Sequence, residues 1–287
     1  HSLVGSEMCI RDRPRRAVKD FPRHEETRMR LRLTSIIICL ALLNACATSP
    51  TGRSQLAFMP ESQMSQMGAQ AFRTIQKDTP VDRDTVTNNY VQCVAKAITR
   101  EVGGGWEVRV FRDTAANAFA LPGNKIGVNT GLLKVAENQH QLATVIGHEV
   151  AHVLSHHANE RVSQKFAVEQ GISLISAVAN PQSATGQTVM GLLGVGAQYG
   201  ILMPYSRIQE SEADIYGLDL MARAGFDPRE SVQLWKNMTR SGGGQPPEFL
   251  STHPSHSTRI SGLNGHMPVA LQLQNRAMQA GKRPACD

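Results

Sequence analysis

The sequence lacks an apolar run long enough to cross a bilayer as a mature helix, which takes about 20 residues. The run from Leu33 to Leu43 is too short, and residues 186–200 are interrupted too often by glycine. Cysteine is also scarce: only five of the 287 residues are Cys, and their spacing matches no zinc-ligand pair. No internal repeat is present, and no motif supports a nucleophilic Ser or Cys. These absences argue against a spanning helix, a cysteine zinc site, a repeat architecture and covalent hydrolysis.

Basic charge is concentrated at the front of the chain. The formal net charge is +6, but residues 1–46 hold nine of the 30 Lys and Arg and five of the 24 Asp and Glu. The remainder has 21 basic and 19 acidic residues, a net charge of +2. We therefore expect no nucleic-acid partner. A composition of 41% hydrophobic and 19% charged residues suits one globular domain of about 200 residues plus extra segments.

A secretory signal is predicted to begin near residue 29. The basic stretch Met29-Arg30-Leu31-Arg32 precedes the apolar run from Leu33 to Leu43, which ends in Leu43-Asn44-Ala45-Cys46. This ending resembles a bacterial lipobox, so we expect Cys46 to be the lipidated first residue of the mature protein. An ordinary cleaved signal and an uncleaved anchor are the alternatives. Ala47 is not the Asp associated with inner-membrane retention, which favours the periplasmic face of the outer membrane over the inner membrane or the soluble periplasm.

The signal divides the chain into segments with different expected roles. They are a non-native or mis-called extension over 1–28, the signal peptide over 29–46, a tether over 47–60, the main domain over 61–270 and a C-terminal tail over 271–287. Two cysteines, Cys93 and Cys286, remain outside the signal. They would be able to pair in an oxidising compartment, but the sequence leaves their state open.

Helical periodicity dominates the main domain. The predicted helices cover residues 61–77, 84–102, 137–157, 158–179, 207–224, 227–240 and 255–279. Alternating residues and turn sequences predict short strands near 106–110, 117–121 and 125–129. We therefore expect a mainly α fold with a small β-sheet (α+β). The helix over 137–157 is apolar on most sides, which is typical of a central helix.

A His-Glu-x-x-His pattern, His148, Glu149 and His152, lies within this central helix. On a helix the two His are about 40° apart around the axis, so both rings can reach one zinc ion with Glu149 beside them. The alternative is a buried helix carrying two hydrogen-bonded His. One class of zinc enzyme continues as His-x-x-Gly-x-x-His, but the equivalent positions here are Ser155 and Ala158, which excludes it.

A catalytic zinc site needs a third protein ligand. His156 lies about 12 Å along the helix axis from His148, and His157 is expected to point to the opposite side, so we place both at the surface or in a supporting role. Glu210 and Asp214 are one helical turn apart. They offer a ligand and a carboxylate that orients a ligand His. A solvated acidic face is the alternative.

Five segments of the domain carry a family resemblance when taken together and in order. They are Asn117-Ala118-Phe119-Ala120-Leu121-Pro122-Gly123, Val128-Asn129-Thr130-Gly131-Leu132-Leu133, Gly147-His148-Glu149-Val150-Ala151-His152, Tyr205-Ser206-Arg207 with Glu210-Ser211-Glu212-Ala213-Asp214, and the segment from Ser251 to Ile260. The chain resembles the zinc metallopeptidases that include HtpX and the CAAX prenyl endopeptidases, most closely the periplasmic BepA and LoiP type of protease. The resemblance spans roughly residues 60 to 265, so the 61–270 domain is interpreted as a zinc metallopeptidase domain.

The resemblance implies a zincin-like gluzincin fold built around an active-site helix. It implies that one Zn²⁺ per subunit is held by His148, His152 and Glu210. It also implies that Glu149 is the general base and that Asp214 supports a ligand His. The implied substrate-binding edge strand comprises Asn117, Ala118, Phe119 and Ala120. His253 matches a His-Pro motif, as either an inhibitory zinc ligand or a donor to the transition-state oxyanion.

Together with the family resemblance, these residues predict a zinc endopeptidase that hydrolyses unfolded or misassembled cell-envelope proteins, with Glu149 as the base. Its expected contacts are these substrates and, through lipidated Cys46, a membrane. The alternative function is a chaperone or assembly factor for outer-membrane proteins in which zinc is mainly structural or latent. Glu149 favours the enzyme, because a scaffold that only binds zinc does not need this residue.

Overall fold

Helices make up most of the computed structural model, which describes residues 46–179, 204–241, 248–253 and 258–286. Within these ranges the helices are α1 (Glu61–Asp78), α2 (Thr85–Arg100), α3 (Gln139–Leu154), α4 (His157–Ala179), α5 (Arg207–Arg223), α6 (Glu230–Ser241), α7 (Glu248–Thr252) and α8 (Thr258–Gln279), with a 3-10 turn at Leu132–Lys134. The strands are β1 (Cys46–Thr48), β2 (Ser54–Leu56), β3 (Glu107–Phe111), β4 (Ala118–Leu121) and β5 (Lys125–Asn129). The expected mainly α fold with a small sheet is confirmed.

Three of these strands form a mixed sheet in the order β3-β5-β4. β3 runs parallel to β5, whereas β4 runs antiparallel to it with Ala120 opposite Ile126. The turn between β4 and β5 is made by Gly123 and Asn124, whose φ angles of 82° and 60° place both in the left-handed region that Gly and Asn adopt most readily. β4 therefore lies at an edge of the sheet, beside α3.

Helix α3 occupies the centre of the domain. The Asn138 side chain caps it by accepting hydrogen bonds from the N–H groups of His140 and Gln141. From Gln141 to His152 every residue is buried. The helix ends at Leu154, three residues earlier than predicted, because His156 adopts a positive φ of 52°. The chain reverses there and α4 begins at His157.

Two glycines allow α3 and α5 to approach at backbone distance. A Cβ added to Gly147 would lie 2.8 Å from the carbonyl oxygen of Gly217, and one added to Gly217 would lie 2.7 Å from the backbone nitrogen of His148. Neither clash can be relieved by a side-chain movement, because the atoms belong to the backbone. The contact brings α5 against the turn of α3 that carries the first His.

The segment 47–60, expected to be a tether, instead begins with a packed hairpin. β1 and β2 pair antiparallel with Cys46 opposite Leu56, and the intervening turn contains Gly52 at a φ of 90°. The same small and turn-forming residues that suggested a flexible segment therefore make a tight turn.

The expected tail over 271–287 also belongs to the folded unit. α8 continues to Gln279, and a disulfide joins Cys286 to Cys93 on α2, which answers the question that the sequence left open. None of the helices in the described ranges is long and apolar enough to cross a membrane. The predicted signal before Cys46 and the glycine-rich segment 186–200 lie outside the described residues.

Candidate metal centre

Four side chains from three regions of the chain meet in the interior. His148 and His152 come from α3, Glu210 from the first turn of α5, and His253 directly follows α7. All four are buried, and one ligand atom of each lies within 4.8 Å of the others. Nε2 of His148 and Nε2 of His152 are 3.0 Å apart, and Oε1 of Glu210 is 3.4 Å from Nε2 of His152. The helical spacing of the two His and the close crossing of α3 and α5 produce this convergence.

The chemistry of the cluster fits zinc. Imidazole nitrogens and a carboxylate oxygen are donors that Zn²⁺ takes, and four of them complete a tetrahedral site. Oε2 of Glu210 is buried without a hydrogen bond of good geometry, although Nη2 of Arg259 lies 3.0 Å away. A buried carboxylate that is only partly satisfied, facing converging ring nitrogens, is the arrangement that a metal ion would complete.

Hydrogen bonds keep Glu210 charged, and burial keeps His152 neutral. Burial would raise the pKa of Glu210, but hydrogen bonds from His148, His152 and His253 hold it far below its usual range. Burial lowers the pKa of His152 well below its ordinary value. The pKa of His148 is raised to about 9, because its bonds to Asp214 and Glu210 outweigh the effect of burial. An anionic Glu210 and a neutral His152 are ready to bind a metal, whereas His148 has to release a proton when the metal binds.

Asp214, expected to orient one of the two candidate ligand His, lies beside His148. Oδ1 of Asp214 lies 3.0 Å from Nδ1 of His148, leaving Nε2 directed at the cluster. Arg259 from α8 holds Asp214 with its Nε 2.7 Å from Oδ2 and its Nη2 2.8 Å from Oδ1. The Arg259 guanidinium in turn lies 3.6 Å above the ring of Trp235.

His152 is supported by different residues. Its Nδ1 lies 2.8 Å from Nδ1 of His157, a ring with no solvent exposure, and its ring stacks on Tyr205 at 3.7 Å. The expectation that His157 points to the opposite side was wrong, because the positive φ of His156 breaks the helix and turns His157 back beneath His152. His156 itself is exposed and lies 3.5 Å from Glu61.

Glu149 lies between the cluster and the edge strand. Its Oε2 accepts a hydrogen bond of 3.0 Å from the backbone N–H of Ala120, on the side of β4 that does not pair with β5. Burial raises the pKa of Glu149 above its ordinary value. A cavity of about 280 Å³ runs along β4 and is lined by the predicted strand residues Asn117, Ala118, Phe119 and Ala120 together with Glu149 and His253.

His253 closes the cluster on the cavity side. Its Nδ1 is 3.0 Å from Oε1 of Glu210 and 3.2 Å from Nε2 of His148, and its Nε2 is 3.3 Å from Oε1 of Glu149. The ring stacks on Phe249 of α7 with centroids 4.3 Å apart. One imidazole therefore faces the metal-binding cluster with one nitrogen and Glu149 with the other.

Several residues of the site were not assigned roles from the sequence. Tyr205, Glu212 and Arg259 lie inside the segments that carry the family resemblance, so their position within these motifs could have identified them as site residues. Arg53 gave no such signal, because it lies in the segment interpreted as a tether. Cys46, the predicted lipidation site, lies in β1 outside the cluster.

The chain is similar in sequence to a known peptidase family and to several named proteases. The model of peptidase family M48 matches residues 83–267. The mitochondrial metalloendopeptidase OMA1 of Schizosaccharomyces pombe is 38% identical over 189 residues, covering 64% of this chain and 54% of that protein. Human metalloendopeptidase OMA1, mitochondrial, is 31% identical over 242 residues, covering 78% and 46%. A putative beta-barrel assembly-enhancing protease of Vibrio cholerae is 29% identical over 202 residues, covering 66% and 41%. The chain spans about half the length of the curated relatives it matches.

Proposed function

Because the chain belongs to peptidase family M48, we propose that it is a zinc-dependent metalloendopeptidase that acts on unfolded or misassembled proteins of the cell envelope. The match confirms the family resemblance carried by the five segments. The observation that carries the proposal is the contact between Glu149 and the Ala120 N–H, because it joins the candidate base to the strand that would hold a substrate.

The residues of the cluster have distinct proposed roles. Zinc held by His148, His152 and Glu210 would act as a Lewis acid toward the scissile carbonyl and lower the pKa of water. Oε1 of Glu149 accepts a proton from the attacking water and returns it to the departing amide nitrogen. Backbone groups of β4 that face away from β5 pair with an extended substrate and place its peptide bond beside Glu149.

We further propose that the described arrangement is a closed, latent state in which His253 is a fourth ligand. Its Nδ1 lies among the ligand atoms, and its Nε2 covers Oε1 of Glu149. A peptide bond next to Glu149 would have to displace this ring. Of the two roles considered for His253, the inhibitory ligand is therefore the one that the distances favour.

The proposed substrates follow from the cavity and the relatives. Backbone pairing along an edge strand selects extended chains rather than folded ones, and Ile75, Phe119 and Leu121 give the cavity an apolar lining. The Vibrio cholerae relative is named for beta-barrel assembly, whereas the yeast and human relatives are named as mitochondrial. The lipobox pattern ending at Cys46 favours the bacterial envelope, with the protein anchored to the outer membrane through that residue.

The central test of catalysis is Glu149→Gln in the full chain. We expect it to retain zinc and to lose cleavage of an unfolded outer-membrane protein by a factor of about 10² to 10⁴, since the amide cannot accept the proton. The matched control is Glu137→Gln, the same change at an exposed position just before α3. Undiminished cleavage by Glu149→Gln would reject the mechanism. Zinc binding without cleavage by the wild type, even with His253 replaced, would favour the assembly-factor alternative.

The latent state is tested by His253→Ala. We expect basal proteolysis to rise several-fold, because the substitution uncovers Glu149 and removes a competing ligand. His266→Ala, a partly exposed His bonded to Asp219, is the matched control. Loss of activity in His253→Ala would support the oxyanion role instead.

Mass spectrometry of the mature N-terminus tests lipidation at Cys46, and a free Ala47 or an intact Met29 would reject it.

A further inference from the structure

A chain of polar contacts leads from His152 to the hairpin near the start of the described chain. Nε2 of the buried His157 lies 3.2 Å from Oε2 of Glu212, a carboxylate whose side chain is 4% exposed. Nε of Arg53 donates to the same oxygen at 2.7 Å, and the Thr51 hydroxyl donates to Oε1. Arg53 and Thr51 belong to the β1-β2 turn, outside the residues 83–267 that match the family model.

The protons along this chain can be placed in one consistent way. His152 presents Nε2 to the metal cluster, so the proton of its neutral ring must sit on Nδ1. That proton is donated to Nδ1 of His157 at 2.8 Å, which requires His157 to carry its own proton on Nε2. Nε2 of His157 then donates to Glu212, an acceptor because Arg53 holds it as a carboxylate.

We propose that Glu212, held by Arg53, is a positioning residue that fixes the metal-binding tautomer of His152 through His157. This proposal rests on the assignment of His152 as a zinc ligand. Without the carboxylate, His157 is free to carry its proton on Nδ1, where it would confront the Nδ1 proton of His152. The conflict is relieved when His152 moves its proton to Nε2, and that tautomer has no lone pair on Nε2, the nitrogen that faces the metal cluster.

Glu160 provides a matched control within the same cluster. Nη1 and Nη2 of Arg53 donate to its two carboxylate oxygens, each at 2.7 Å, so Glu160 pairs with the same arginine as Glu212. Its side chain is 5% exposed, similar to that of Glu212. Glu160 has no contact with the His157 ring among the described hydrogen bonds, although Gln209 bonds to both Glu160 and the His157 backbone. Removing either carboxylate therefore deprives Arg53 of one negatively charged partner. Only the removal of Glu212 also interrupts the chain of hydrogen bonds to His152.

The experiment measures zinc affinity in the full chain by competition with a chromogenic chelator, with the thermal unfolding of each zinc-free variant as a check on folding. We expect Glu212→Leu, which removes the acceptor at similar size, to weaken zinc binding by about 10- to 100-fold, the usual effect of losing an outer partner of a ligand His. Glu160→Leu should stay within about threefold of the wild type. Equal losses in the two variants, or no loss in Glu212→Leu, would overturn the proposal.

A second background separates the proposed chain from simple charge attraction. In His157→Gln the amide oxygen can accept from Nδ1 of His152 whatever side chain stands at position 212, because an amide accepts without a change of tautomer. Glu212→Leu should then change zinc affinity little when added to His157→Gln, and a loss as large as in the wild-type background would contradict the chain. The ligand assignment is checked separately, because His152→Ala must lose zinc whatever Glu212 does.

Discussion

His148 and His152 stand one turn apart on the same helix, yet the protein supports them in different ways. His148 is held directly by Asp214, and Arg259 and Trp235 complete a support that lies entirely inside the helical core. His152 is held through His157, and the chain of contacts beyond it ends at Arg53 on the β1-β2 hairpin. One candidate metal ligand is therefore supported by the core and the other by a segment at its edge.

The two supports also differ in exposure. Arg259 has a side chain that is 2% exposed, whereas that of Arg53 is 26% exposed. Removal of the partly exposed Arg53 lets water reach the carboxylates that it held, whereas removal of the buried Arg259 leaves its carboxylates enclosed without a cation. The comparison therefore predicts that changes on the His148 side cost more stability than equivalent changes on the His152 side.

The largest effect is expected for Arg259→Met. This substitution keeps much of the side-chain volume but leaves Asp214 and Glu210 without their buried cation, so we expect a loss of about 3–5 kcal/mol in the free energy of unfolding. Chemical denaturation of the zinc-free chain measures it. If Arg259→Met lost less unfolding free energy than Arg53→Ala, the predicted difference between the two supports would be wrong.

An intermediate effect is expected for Cys286→Ser. The disulfide with Cys93 spans 193 residues of sequence and ties the chain beyond α8, the helix that carries Arg259, to α2. Loss of such a cross-link typically costs about 2–4 kcal/mol, because the unfolded chain gains freedom. Thermal unfolding with and without a thiol reductant provides the control: the wild type should shift under reduction and the variant should not. A variant as stable as the oxidised wild type would contradict the expectation.

The smallest effect on stability is expected for Arg53→Ala. Water can enter the space and solvate Glu160 and Glu212, so we expect a loss of only about 1–2 kcal/mol in the free energy of unfolding. Zinc affinity should nevertheless fall, by about 3- to 10-fold, because Glu212 is then less well held. Unchanged affinity together with lost stability would mean that the hairpin supports the fold but not the metal site.

Much of the fold and part of the site were predictable because they depend on short-range spacing. A period of 3.6 residues identified the central helix and placed His148 and His152 on one face of it. The same spacing paired Glu210 with Asp214, and turn residues located the β4-β5 hairpin. These features require no knowledge of distant contacts.

The remaining features could not be read from spacing. The direction of His157 depends on one left-handed residue, His156, that helical periodicity does not reveal. The composition of residues 47–60 is compatible with a flexible tether and with a tight hairpin. The hairpin is held by contacts of Arg53 with Glu212 and Glu160, which are distant in the sequence.

The sequence by itself determined the central helix and the placing of His148, Glu149 and His152 along it, because these follow from residue identity and local periodicity. The family resemblance supplied the choice of Glu210 as the third donor and of Glu149 as the candidate base. Only the tertiary structure decided that Cys93 pairs with Cys286, that His253 closes the cluster, and that Arg53 lies within reach of Glu212. The physical reason is the same in each case. These contacts join residues far apart in the chain, and side-chain packing rather than local preference brings such residues together.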